Sequence, residues 1–250
     1  MSTFVLVHGA WHGAWCWYKV VPRLTQAGHE VFAPDLPSLG RDRTPIAEIS
    51  LDRWADSICK VVEAAAEPVI LVGHSRGGIV ISAVAERLPK RVAMLVYLTA
   101  FLLRDGETLL EVAQTADSSL VVPNIVVADD QASMTVPGDA VQEAFYGECP
   151  PEDVVLAHML LAPEAMAPNS TPVHVTDSRF GSVPRVYIEC LRDKAIPVAL
   201  QRRMAHSAGC EIVASLDTDH SPFFSTPGPL VDGLLALVKR QGATSLGPRG

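Results

Sequence analysis

The chain has 250 residues, 48% hydrophobic and 19% charged, enough for one large domain with a full core and short for two independent ones. Its formal net charge is -8 with no segment rich in Lys and Arg, which argues against a phosphate backbone or an anionic membrane surface as partner. No apolar run reaches the roughly 18–20 residues of a membrane span, and five scattered cysteines without a CxxC pair support neither a disulfide framework nor a zinc site.

The N-terminus enters the strand-like run Phe4 to Val7 directly, without the apolar core and cleavage site of a signal peptide, so a cytoplasmic location is expected. Further strands are predicted at Glu30 to Ala33, Val69 to Val72, Ala93 to Leu98, Arg185 to Glu189 and Glu211 to Leu216. Amphipathic stretches at Trp17 to Ala27, Leu51 to Ala66, Gly77 to Leu88, Pro197 to Ala208 and Pro227 to Lys239 alternate with them and read as helices. Such alternation predicts an α/β fold: a mostly parallel sheet of about six strands with helices on both faces. Between Arg104 and Asp177 the alternation stops for a stretch too long to be a loop. A lid insertion over residues 104–177 is expected there, without a clear strand and helical around Gly138 to Ala144 and Pro151 to Leu161. It divides the core into residues 1–103 and 178–240, and residues 241–250 have the composition of a flexible tail.

The strongest local signal is Gly73-His74-Ser75-Arg76-Gly77-Gly78, between the apolar run Val69 to Val72 and the helix-forming Ile79 to Ala85. A strand, a sharp turn and a helix with glycines on both sides of a serine make a nucleophile elbow, which lifts the serine hydroxyl above the sheet. Ser75 is therefore the expected nucleophile. A serine needs a base to take its proton, and the base must be oriented. His220 follows the last strand and precedes the terminal helix, so its loop opens on the edge where Ser75 lies; His174 in the lid and His206 within a helix fit less well. Asp193, just past the penultimate strand, is the expected acid, with Asp105, Glu189, Asp217 and Asp219 as weaker candidates. The oxyanion hole needs two backbone amides, expected from Arg76 after the nucleophile and Ala10 in the loop after the first strand. His8 and His12 stand four apart but in a Gly-interrupted loop, which argues against a metal site there.

The opening Phe4-Val5-Leu6-Val7-His8-Gly9-Ala10-Trp11-His12-Gly13-Ala14-Trp15, the elbow at Ser75, Tyr187 to Pro197 and His220-Ser221-Pro222-Phe223 resemble the plant methylesterase and hydroxynitrile lyase group of α/β hydrolases and its bacterial esterase relatives. The resemblance implies an α/β-hydrolase fold with a small helical lid over an apolar pocket. It also implies hydrolysis of carboxylic esters through an acyl-enzyme, with no metal or organic cofactor. The lyases of this group carry a lysine after the catalytic histidine and a threonine after the histidine that ends the first strand. Ser221 and Gly9 stand there, which implies an esterase rather than a lyase.

The pocket is expected between elbow and lid, walled by Phe101 and Leu102, with Phe145, Met159, Leu161 and Phe223 as further contributors and Trp11 and His12 either lining it or lying at the base of the loop after the first strand. A small apolar or aryl carboxylic ester is the expected substrate. A carbamate or amide can use the same groups, and a non-catalytic hydrolase-like receptor would keep the fold without needing the triad. The expected assembly is a monomer or homodimer.

Overall fold

The computed structural model describes residues 1–245. In chain order it forms β1 (Thr3–Val7), α1 (Val21–Gln26), β2 (Glu30–Phe32), α2 (Leu51–Ala64), β3 (Val69–Ser75), α3 (Gly77–Arg87) and β4 (Val92–Ala100). There follow α4 (Leu109–Gln114), β5 (Val126–Val127), β6 (Ser133–Thr135), α5 (Gly138–Phe145), α6 (Pro151–Leu160), β7 (Glu164–Ala165) and α7 (Ala167–Ser170). The chain closes with β8 (Arg185–Cys190), α8 (Val198–Ser207), β9 (Glu211–Leu216), α9 (Pro222–Ser225) and α10 (Pro227–Ser245).

Six strands pair in the order β2-β1-β3-β4-β8-β9, every pair parallel. Strands covered on both faces read as continuous apolar runs, and every residue of β1 and β3 is buried. Their alternating side chains feed two cores. Val5, Val7 and Leu71 pack with Trp54 and Ile58 of α2 and Val80 and Val84 of α3. Phe4, Leu6, Ile70 and Val72 pack on the opposite face with Leu24 of α1 and Leu230 and Leu234 of α10. The α2 stripe of Leu51, Trp54, Ala55, Ile58 and Val62 has helical spacing, and the Ser50 hydroxyl caps its start by accepting from Arg53 N.

The chain steps outward from β1 to β2, then crosses back to begin β3 on the other side of β1. Loops leaving β1 and β3 therefore part in opposite directions and open a crevice at the C-terminal edge of the sheet.

Between β4 and β8 the chain leaves this sheet. The predicted helices there are α5 and α6, but the expectation of no strand is corrected by a small antiparallel sheet, β5-β6-β7, in which Val126 pairs with Thr135 and Met134 with Glu164. Strands of two or three residues are too short to show a period. Helix α10 continues through Ser245, so the first residues of the expected tail are helical, as the good helix formers Gln241 and Ala243 permit; residues 246–250 lie outside the described residues. Among the described residues no helix is long and apolar enough to cross a membrane.

Candidate active site

Ser75 ends β3 with φ 53, a left-handed backbone that costs a non-glycine residue about 1–3 kcal/mol. The surrounding glycines make room for it. A Cβ on Gly73 would come within 2.8 Å of Gly77 O, and one on Gly77 within 2.8 Å of Val7 O, so the strand and helix approach too closely for side chains. The first turn of α3 thus begins directly behind Ser75, its free amides and positive dipole end facing the C-terminal edge of the sheet.

His220 and Asp193 lie on the loops after β9 and β8. His220 Nδ1 donates to Asp193 Oδ2 at 2.6 Å, with both side chains buried. The other carboxylate oxygen, Oδ1, accepts from Ala195 N at 2.7 Å and Ile196 N at 2.8 Å, and Oδ2 also accepts from Thr99 Oγ1. Thr99 reaches it because β4 carries a bulge: His74 pairs with Leu98 but Ser75 with Ala100, leaving Thr99 unpaired at φ 37. His74 Nε2 donates to the His220 carbonyl at 2.8 Å and its ring packs on that of His220, centroids 4.6 Å apart.

The loop after β1 is held as tightly. Leu36 N donates to His8 Nε2 at 3.1 Å, so the His8 proton sits on Nδ1 and is donated to Gly9 O at 2.9 Å. Tyr146, just past α5, donates its hydroxyl to His12 Nε2, and His12 Nδ1 donates to Ala10 O, both at 2.6 Å. Burial lowers the pKa of all three inner histidines: His8 and His74 well below the ordinary value, helped by neighbouring Arg76 and His220 respectively, and His12 to about 4. They stay neutral in the folded protein while the unfolded chain takes up protons below pH 6.5. Stability is therefore complete above that pH and is lost as pH falls below it, the His12 contribution disappearing as pH passes through about 4. Urea unfolding midpoints measured from pH 7 to pH 5 are expected to fall steeply; a flat profile would show that these rings charge without penalty.

Ser75, Ala10 and Arg76 open on a cavity whose walls are otherwise mostly apolar: Trp11, Phe101, Leu109, Val121, Met134 and Phe145 among them. The Arg76 side chain, 1% exposed, turns away from solvent, its Nε donating to Glu164 Oε1 at 2.9 Å and its guanidinium lying 4.0 Å from the Trp54 ring.

The model of the alpha/beta hydrolase family matches residues 4–232. The chain belongs to that family. It is 34% identical over 252 residues to Methylesterase 1 of Arabidopsis thaliana, covering 95% of this chain and 96% of that one. With Salicylic acid-binding protein 2 of Nicotiana tabacum it shares 35% over 252 residues, covering 95% and 97%. The crystal structure of a pyrethroid hydrolase from Sphingobium faniae JZ-2 superimposes with a TM-score of 0.87 at 29% identity, covering 95% of this chain and 97% of that one.

In this alpha/beta hydrolase, Trp11, Phe101 and Phe145 line the cavity beside Ser75, and five residues expected with them do not. Met159 is 76% exposed on α6. Leu161 faces a separate cleft on the far side of Trp11 and Phe145, and Leu102 turns towards Met204 of α8. Phe223 packs on His74 and Trp17 with centroids 5.0 and 5.3 Å away, and His12 is spent on Ala10 and Tyr146. The walls the sequence did not reveal come from α4 and residues 119–125: Leu109, Leu110, Ala113, Val121, Val122 and Ile125. Of the weaker acid candidates, Glu189 is taken by Arg202 and Ser215. Asp105 is exposed beside His174. Asp219 accepts from Glu148 N and Ser225 Oγ rather than from His220. Among the described residues no three His, Cys, Asp or Glu side chains come together as a metal site.

Proposed function

We propose that this carboxylic ester hydrolase works through an acyl-enzyme on Ser75, with His220 as general base and acid and Asp193 as the group that orients it. The observation that carries the reading is the buried 2.6 Å bond from His220 Nδ1 to Asp193. It fixes the imidazole proton on Nδ1 and leaves Nε2 as the basic nitrogen, on the same edge of the sheet as a serine held in a strained turn. Nε2 takes the Ser75 proton as Oγ attacks the ester carbonyl. The carbonyl oxygen becomes an oxyanion between the amides of Ala10 and Arg76, and collapse expels the alcohol with the proton from Nε2. Water then repeats the sequence on the acyl-enzyme, releasing the acid and restoring Ser75.

Residues 104–177 act as the lid over this site. The cavity walls suit an apolar or aryl acyl group, and relatives named as methylesterases and as a pyrethroid hydrolase favour ester substrates with an uncharged alcohol. A p-nitrophenyl alkylphosphonate tests the chemistry, since it traps an activated serine. One equivalent of p-nitrophenol and an adduct on the Ser75 peptide are expected by mass spectrometry. A stoichiometric adduct on another residue, or none, would overturn the reading. Offered alongside, aryl and methyl esters with apolar acyl groups are expected to turn over and a cyanohydrin is not.

A further inference from the structure

Chemistry at the residue after the nucleophile needs only a backbone amide, yet Arg76 buries a whole guanidinium there, and its partners are specific. Nη2 donates to Gly9 O at 2.9 Å and to Glu164 Oε2 at 3.3 Å, and Nε donates to Glu164 Oε1 at 2.9 Å. Gly9 O is therefore held by two donors, Arg76 Nη2 and His8 Nδ1. A trans peptide places N–H and C=O on opposite sides, so pinning the Gly9 carbonyl turns the Ala10 amide the other way. That amide emerges beside the nucleophile, because a Cβ on Gly9 would lie 2.9 Å from Ser75 Cβ. The next peptide is fixed by the same pair: Trp11 N donates to Glu164 Oε2 at 3.0 Å, which removes it from the reaction centre and leaves Ala10 as the amide free to face the cavity. Glu164 lies in β7 of the lid, fully buried, with Asn169 Nδ2 donating to its Oε1 at 3.3 Å. A buried ion pair is a poor source of stability compared with apolar side chains of the same size, so its geometry, rather than its energy, is what this position uses.

We propose that Arg76 and Glu164 are positioning residues that build the oxyanion hole from the lid side, aiming the Ala10 amide at the substrate oxygen, so that the hole is complete only when β7 is seated. This rests on Ser75 being the nucleophile.

The test uses two variants. Arg76→Lys keeps a buried cation but lacks the planar fork that grips both Glu164 oxygens while holding Gly9 O. The double variant Arg76→Met with Glu164→Gln leaves no stranded charge and keeps an acceptor for Trp11 N, so it guards against a failure to fold. For each, kcat and KM on an aryl ester are measured with the inhibition constant of a trifluoromethyl ketone, which adds to the serine as a tetrahedral oxyanion, and folding is checked by thermal melting. The folded variants are expected to lose roughly 100-fold in kcat, as when one oxyanion donor is lost, with KM nearly unchanged and inhibitor binding weakened by the same factor. A folded variant with wild-type kcat and inhibitor binding, or one impaired in KM alone, would overturn the proposal. Ser75→Ala, run in parallel, separates the readings: if it keeps its rate, the serine mechanism fails, whereas wild-type kinetics in the Arg76 variants alone refutes only the positioning role.

Discussion

Ser75→Ala, His220→Ala and the variant carrying both are expected to lose kcat by nearly the same factor, on the order of 10⁴ to 10⁶. The expectation of equal losses is more telling than their size. An alanine at 75 leaves the imidazole without a hydroxyl to deprotonate, and an alanine at 220 leaves the hydroxyl protonated and weak, so either change abolishes the same step and the second has nothing left to remove. Independent contributions would multiply instead. What survives in all three should be the small rate that the Ala10 and Arg76 amides give a water molecule in the cavity, with KM close to wild type because the apolar walls are untouched. Initial rates on one aryl ester at pH 8 decide it, well above the range in which the inner histidines threaten stability. A double variant much slower than both singles would show that the two residues do not act as a unit.

The parts of the fold legible in the sequence are those written locally. Val69 to Val72 followed by Gly-x-Ser-x-Gly specifies a strand, a turn and a helix within a dozen residues, because the glycines are demanded by contacts between neighbouring segments, Gly77 against Val7 and Gly9 against Ser75. The loops of Asp193 and His220 followed from the same alternation, since each comes just after a strand. What stayed hidden depends on pairings between distant positions. Thr99 meets Asp193 only because of a bulge in β4, and Arg76 finds Glu164 88 positions away in a strand of two residues. The cavity walls failed for a different reason. Leu102 was suggested by its place just past β4, and Met159, Leu161 and Phe223 by size and apolarity, but the same properties serve a core, an outer cleft or an exposed helix face equally well. Leu109 to Ala113 and Val121 to Ile125 carry no mark that separates them from ordinary apolar packing.

Asp193→Asn is expected to lower kcat by about 10⁴ while leaving the fold and KM nearly intact, and the hydrogen bonds around it say why. Asp193 Oδ1 faces two amides, Ala195 N and Ile196 N, so an asparagine must place its carbonyl oxygen there; the flipped orientation would set its NH2 against two donors. The NH2 is then left facing His220 Nδ1, to which it can only donate. The neutral ring must give up its Nδ1 proton and carry it on Nε2, the nitrogen that has to receive the proton of Ser75. The base is present, correctly placed and in the wrong tautomer. Thr99 Oγ1 can rotate to accept from the same NH2, so little stability is lost. Asp219→Asn supplies the contrast, because Asp219 sits next to His220 in sequence but bonds Glu148 N, Ser221 N and Ser225 Oγ instead of the ring, and it should keep most of the rate. Steady-state kinetics on the two variants, with melting curves to verify folding, distinguish an acid that sets the tautomer from one that only anchors the loop; a rate lost at Asp219 and kept at Asp193 would reverse the assignment.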